Sequence, residues 1–210
     1  MGSKLSEYGI VKASGKGAAK IFEELSGDLS FNDIDYSLPS DYINYYISKY
    51  REYVPTEGIS KNNSTNGKIF EYIIETLFVR ERITPMYLQA TVAFVPNVRY
   101  DILTYCKEFG PIAFFLKTSL RERYKQADLE AIALKYVHRK AKCYILTLDA
   151  KECHVANNKI KNGDVIGINE CILCTSPRFN EFIAELKSYY FELAGKVDII
   201  ESKYIVNPKD

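Results

Sequence analysis

The chain has 210 residues, 47% of them apolar and 26% charged, which suits one globular domain with a substantial core. Its net charge of +1 weighs against a protein that coats polyanions through bulk charge, while leaving room for a local basic cleft. No apolar run reaches the length of a membrane span. The opening Met1-Gly2-Ser3-Lys4 lacks the apolar stretch of a secretory signal, so a cytoplasmic location and no membrane partner are expected. Five cysteines, an odd number without an export signal, argue against a disulfide framework.

Taken in chain order, the first plausible helix covers Ala18 to Leu25. A second runs from Pro39 or Ser40 to Tyr53, with Ser40 as its cap and Ile43, Tyr46, Ile47 and Tyr50 at helical spacing. Its tyrosines read as core, although aromatic side chains can also touch nucleic acid. Pro55 is expected to end this helix, because proline disfavours helical geometry at the residue before it. Residues 54–67 are polar and turn-rich and read as a loop or joint. Ser14-Gly15-Lys16-Gly17 lacks the spacing of a phosphate loop.

From Lys68 the pattern becomes regular: a helix over Lys68 to Val79, then strands over Ala90 to Val95, Arg99 to Cys106 and Ile112 to Thr118. A long helix over Leu120 to Val137 and a strand over Cys143 to Leu148 follow. The chain closes with a polar helix-or-loop region, a strand near Cys171 and a helix over Asn180 to Ala194. This order is that of a mixed α/β fold. Cys153, His154, Cys171 and Cys174 could be drawn as a zinc site. Strand alternation, however, sends Cys171 and Cys174 to opposite faces.

The residues that carry chemistry begin in the hairpin. With its turn centred on Phe109, Asp101 falls directly opposite Lys117, with Leu103/Phe115 and Tyr105/Ala113 on the same face. Ile112-Ala113-Phe114-Phe115-Leu116 is continuously apolar, as in a strand buried on both faces. A lysine at its end needs a partner, because desolvating an unpaired charge is expensive. A structural ion pair with Asp101 satisfies that need as well as a catalytic role does. In the following helix Arg123, Gln126 and Glu130 share a stripe that continues to Ala133 and Val137, which predicts that the stripe faces inward.

Lys117-Thr118-Ser119-Leu120-Arg121-Glu122-Arg123-Tyr124-Lys125-Gln126 resembles the lysine-to-helix segment of PD-(D/E)XK restriction endonucleases. The similarity is to the EcoRII-like subgroup, whose second catalytic carboxylate sits on the helix. Phe115 stands where the common motif has an acid, and Glu130, thirteen residues beyond Lys117, looks like the relocated one. Tyr100 replaces the motif's proline. The resemblance is dense from Asp101 to Glu130 and extends in element order from Lys68 to Leu148.

The resemblance implies a restriction-endonuclease-like core, a mixed central β-sheet flanked by helices, in a single nuclease domain over residues 1–210. Residues 1–66 would be N-terminal helical and loop additions, and about 68–175 the catalytic core. It also implies Mg²⁺ held by Asp101 and Glu130, Lys117 at the attacking water, and Arg123 on a phosphate. Gln126 and Glu71 are auxiliary candidates; Glu71 and Glu75 lie four residues apart on the preceding helix, and a surface carboxylate is the favoured reading of Glu71. Glu122 and Asp128 are rival second acids off the stripe. The implied function is type II, site-specific cleavage of double-stranded DNA by a homodimer, with a cognate DNA methyltransferase in the same system. Alternatives are a DNA repair or mobile-element nuclease of the same superfamily, or a catalytically inactive DNA-binding protein, which Phe115 would suit.

Overall fold

A computed structural model describes residues 4–12, 17–27, 29–56, 63–95, 97–121 and 123–195. Ser14 to Lys16, Asn62, Pro96 and Glu122 lie outside the described residues. These segments hold seven helices and five strands. They are α1 Lys4–Glu7, α2 Ala18–Leu25, α3 Pro39–Thr56, α4 Asn63–Arg80, β1 Met86–Ala90, β2 Tyr100–Cys106 and β3 Gly110–Lys117, then α5 Arg123–Val137, β4 Lys142–Thr147, α6 Ala150–Asn162, β5 Glu170–Leu173 and α7 Pro177–Lys187. The strands form one mixed sheet in the order β1-β2-β3-β4-β5, antiparallel through β3 and parallel from β3 to β5.

Alternation along the strands builds two cores, one on each side of the sheet. Ile112, Phe114 and Leu116 of β3 face the side covered by α2, α3, α4 and α7. Ala113 and Phe115 face the side covered by α5 and α6. The result is an α/β/α sandwich whose central strand is buried on both faces, as the apolar run 112–116 predicts. α4 is the buried helix of the first layer: Ile69, Phe70, Ile73, Ile74, Leu77 and Phe78 are all inaccessible, and Phe78 meets Phe114 edge-on at 5.1 Å. Cys171 and Cys174 do enter opposite cores, and all five cysteines are free and buried.

Several boundaries differ from the sequence reading. α3 continues through Pro55 to Thr56, with Val54 buried, so core packing outweighs proline's bias against helix at the preceding residue. The polar stretch 63–67, expected as loop, is the first turn of α4. The first strand is Met86–Ala90, not Ala90–Val95, because residues 86–90 pair with β2 while Phe94 turns out to solvent with φ 64°. α7 begins earlier, at Pro177 after the cap Ser176, and ends at Lys187. Beyond it the chain runs non-helically past the hairpin turn, where Tyr189 contacts Phe109, to bond Tyr105 and Tyr87. No helix among the described residues is long and apolar enough to cross a membrane.

Candidate functional site

The β2/β3 hairpin sets the site. Its last pair is Cys106↔Gly110, closed by a three-residue turn in which Gly110 takes φ 73°, a conformation open to glycine. The hairpin is thus tighter than a turn centred on Phe109, and the register moves by two: Leu103 pairs with Ala113 and Tyr105 with Pro111. Continued, this register sets Asp101 opposite Phe115 and makes Lys117 a diagonal neighbour. A shift of two keeps the side chains from Ile102 to Cys106 and along β3 on their expected faces, whereas a shift of one would have inverted them.

The two residues still meet, aided by an irregularity in the sheet. Tyr100 and Ile102 are two apart yet pack into opposite cores, so alternation breaks at Asp101. Across from it Gln89 of β1 takes φ 48° and drops out of the ladder between Leu88↔Ile102 and Ala90↔Tyr100. The paired positions of β2 and β3 end at Ile102↔Phe114. The Asp101 carboxylate enters beyond them, and its Oδ2 accepts the Leu116 N–H at 2.8 Å and the Lys117 ammonium at 3.0 Å. A backbone amide and a charged donor on one oxygen hold this carboxylate in place.

Acids of α4 stand behind this pair. Glu75 is 3% exposed, one of its carboxyl oxygens is buried without a hydrogen-bond partner, and its pKa is pushed up to about 8. Burial is the main cause, and the negative charges of Glu71 and Asp101 add to it against the opposing pull of Lys68. One turn earlier Glu71 accepts from Lys68 and, at 3.4 Å, from the Gln89 side chain. Asp101, Lys117, Glu71, Glu75, Lys68 and Gln89 therefore occupy one neighbourhood, joined by bonds or by felt charge. The sequence reading ranked Glu71 as auxiliary and missed Lys68 and Gln89. The apolar residues on both sides of Glu75 in the chain were the available sign of its burial.

α5 approaches from the opposite layer with a different face inward than predicted. Tyr124, Ala127, Asp128, Ala131 and Leu134 are buried, whereas Arg123, Gln126 and Val137 are exposed and Glu130 is half-buried. The buried set has the same helical spacing as the proposed stripe and is more apolar, which decides the rotation. Its one acid, Asp128, is satisfied by the Gly167 N–H at 2.6 Å. Glu130 lies at the edge of the site: its backbone carbonyl accepts the Tyr100 hydroxyl at 3.1 Å, and its carboxylate accepts from Gln126 at 2.8 Å. No bond joins Glu130, Gln126 or Arg123 to Asp101 or Lys117 among the described residues.

Beside Lys117, at the carboxyl ends of the parallel strands β3 and β4, a cleft of about 650 Å³ opens between the sheet and helices α3 and α4. Thr118, Asp149, Asn66 and Arg51 line its rim, and Ile69 and Leu148 its floor. The segment after Lys117 is pinned by α6, since Glu152 accepts the Leu120 N–H and Asp149 caps the helix by accepting from Glu152 N–H at 2.9 Å.

Asp101, Glu71 and Glu75 carry carboxylate oxygens of the kind a hard divalent cation takes, and one oxygen of Glu75 is buried and unsatisfied, whereas the Glu130 carboxylate is turned to Gln126. Among the described residues no three His, Cys, Asp or Glu side chains stand grouped to hold a metal ion. A cation here would draw its remaining ligands largely from water, as Mg²⁺ ordinarily does. Compared with family models, curated proteins and solved structures, the chain matches none.

Proposed function

We propose that this α/β protein is a Mg²⁺-dependent endonuclease that hydrolyses phosphodiester bonds of double-stranded DNA, as a type II restriction enzyme with a restriction-endonuclease-like core. The observation that carries the reading is the Asp101 carboxylate, fixed by the Leu116 amide and the Lys117 ammonium at the end of β3, with the α4 acids behind it. In this reading Asp101 is the shared metal ligand, Glu130 a second ligand from α5, and Glu71 and Glu75 contribute from α4. Bound Mg²⁺ would neutralise phosphate charge and make water a better nucleophile. Lys117 orients the attacking water and stabilises charge that develops on the phosphate oxygens. Arg123, exposed at the start of α5, is free to clamp a phosphate of the DNA. A homodimer would present two such sites to the two strands, alongside a cognate DNA methyltransferase that protects the host.

The test is incubation of the purified protein and plasmid DNA with Mg²⁺, followed by mapping of cleavage ends. Discrete, Mg²⁺-dependent double-strand cuts are expected, and Lys117→Ala should lower the rate by about 10²-fold or more while binding persists. A second reading, a DNA-binding protein without cleavage, is favoured by Phe115, which is 1% exposed and packed against Tyr100 where the common motif has an acid. DNA binding without cleavage under any divalent cation would establish that reading. Cleavage without sequence preference would instead favour a repair or mobile-element nuclease.

A further inference from the structure

Two of the thiols that a zinc site would have needed stand together for a different chemistry. Cys153 of α6 and Cys171 of β5 share the core on the α5/α6 side of the sheet, whereas Cys174 enters the other core. The Cys153 thiol donates to the Cys171 carbonyl oxygen at 3.2 Å, and the Cys171 thiol lies within hydrogen-bonding reach of the Cys153 sulfur.

Asn157, one turn further along α6, fixes the helix against the strand at this point. β5 is an edge strand, and the Asn157 side chain satisfies both backbone groups of Cys171. Its Nδ2 donates to the Cys171 carbonyl at 2.7 Å, and its Oδ1 accepts the Cys171 N–H at 2.9 Å. The carbonyl therefore keeps a donor when the Cys153 proton is lost. Joining the two sulfurs would leave no buried backbone group without a partner.

The two sulfurs differ in reactivity. Cys153 is 6% exposed and Cys171 1%, so a small oxidant reaches the first. A thiolate on Cys153 accepts from the Cys171 S–H, which holds its pKa below that of an ordinary thiol, against burial and the charges of Glu170 and Asp149. The same bond, together with burial, keeps Cys171 protonated. We infer that Cys153 and Cys171 form a dithiol that hydrogen peroxide oxidises to a disulfide, tying α6 to β5. The Cys153 sulfur attacks one peroxide oxygen, the O–O bond breaks, and the departing hydroxide takes up a proton to become water. The Cys171 sulfur then attacks the resulting sulfenic acid, the S–O bond breaks, and a second water leaves with the Cys171 proton. The two electrons lost by the sulfurs reduce the peroxide. This proposal is independent of the nuclease reading.

The test treats the reduced full chain with equimolar hydrogen peroxide at neutral pH, then unfolds it, alkylates the remaining thiols and maps its peptides by mass spectrometry. A linked Cys153–Cys171 peptide is expected, reversed by dithiothreitol, with Cys106, Cys143 and Cys174 alkylated. Closing the loop between the two should raise the urea midpoint of the oxidised form above that of the reduced one. Cys171→Ala should strand Cys153 as a sulfenic acid that dimedone captures, and Cys153→Ala should leave Cys171 reduced. The peptide map of the unsubstituted protein decides the matter even where a variant fails to fold. Linkage of other cysteines, overoxidised Cys153 beside a free Cys171, or thiols that react only in urea would overturn the proposal.

Discussion

A carboxyl such as Glu75, set among Ile73, Ile74, Leu77 and Phe78 on a buried helix, is held neutral by its surroundings. Its pKa in the folded chain is about 8, against an ordinary 4.5. Below the ordinary value the group is protonated in both the folded and unfolded chain. Between 4.5 and about 8 only the folded chain keeps the proton, so stability falls as pH rises, and above about 8 the full cost is present. At roughly 1.4 kcal/mol per unit, the loss amounts to a few kcal/mol. Urea unfolding across this range should show that decline, and Glu75→Gln should flatten it. A cation bound nearby would oppose it by favouring the carboxylate, so added Mg²⁺ should restore stability most at alkaline pH. Asp101 offers a complementary comparison. Asp101→Asn keeps an oxygen for the Leu116 amide and should fold normally, yet lose the DNA cleavage proposed for this site. Asp101→Ala leaves that amide, on a residue only 6% exposed, without its partner and should also cost about 1–3 kcal/mol in unfolding assays.

Among the elements, the contact between α5 and the loop before β5 leaves no room for a larger residue at Gly167. Gly167→Ala drives a methyl group into main-chain atoms of Asp128 and Ile132, which cannot step aside as a side-chain tip can. A cost of about 1–3 kcal/mol is expected, read as a lowered urea midpoint with an unchanged slope. The same helix shows what the amino-acid order discloses. Two stripes of equal spacing run along α5, one through Tyr124, Ala127, Ala131 and Leu134 and one through Arg123, Gln126 and Glu130. Periodicity finds both and cannot by itself say which turns inward; the tertiary fit chooses the first. The β2/β3 hairpin was legible in its strands and in the meeting of Asp101 with Lys117. Its register was not, because that depends on Gly110 adopting φ 73° at the turn. The α4 acids were visible only as a pair four residues apart. Their approach to Asp101 depends on packing between segments distant in the chain, which no local pattern encodes.

For the molecule as a whole, the proposed site and the closure of the sheet lie at opposite ends. Lys117 and the cleft stand at the carboxyl end of β3, whereas the segment after α7 crosses the other end. There Tyr189 contacts Phe109, Glu192 N–H bonds the Tyr105 carbonyl at 3.0 Å, and Ala194 N–H bonds the Tyr87 hydroxyl at 2.8 Å. Glu192 also pairs with Lys107 at 3.5 Å. The last helix packs beside β5, so this passage links the two outer strands across the sheet. Tyr87→Phe removes one fastening and should speed hydrogen exchange in β1 while sparing β3 and β4. The polypeptide therefore belts its own sheet, and tension on the carboxyl-terminal stretch would be felt first at the first strand, far along the chain but next to it in space.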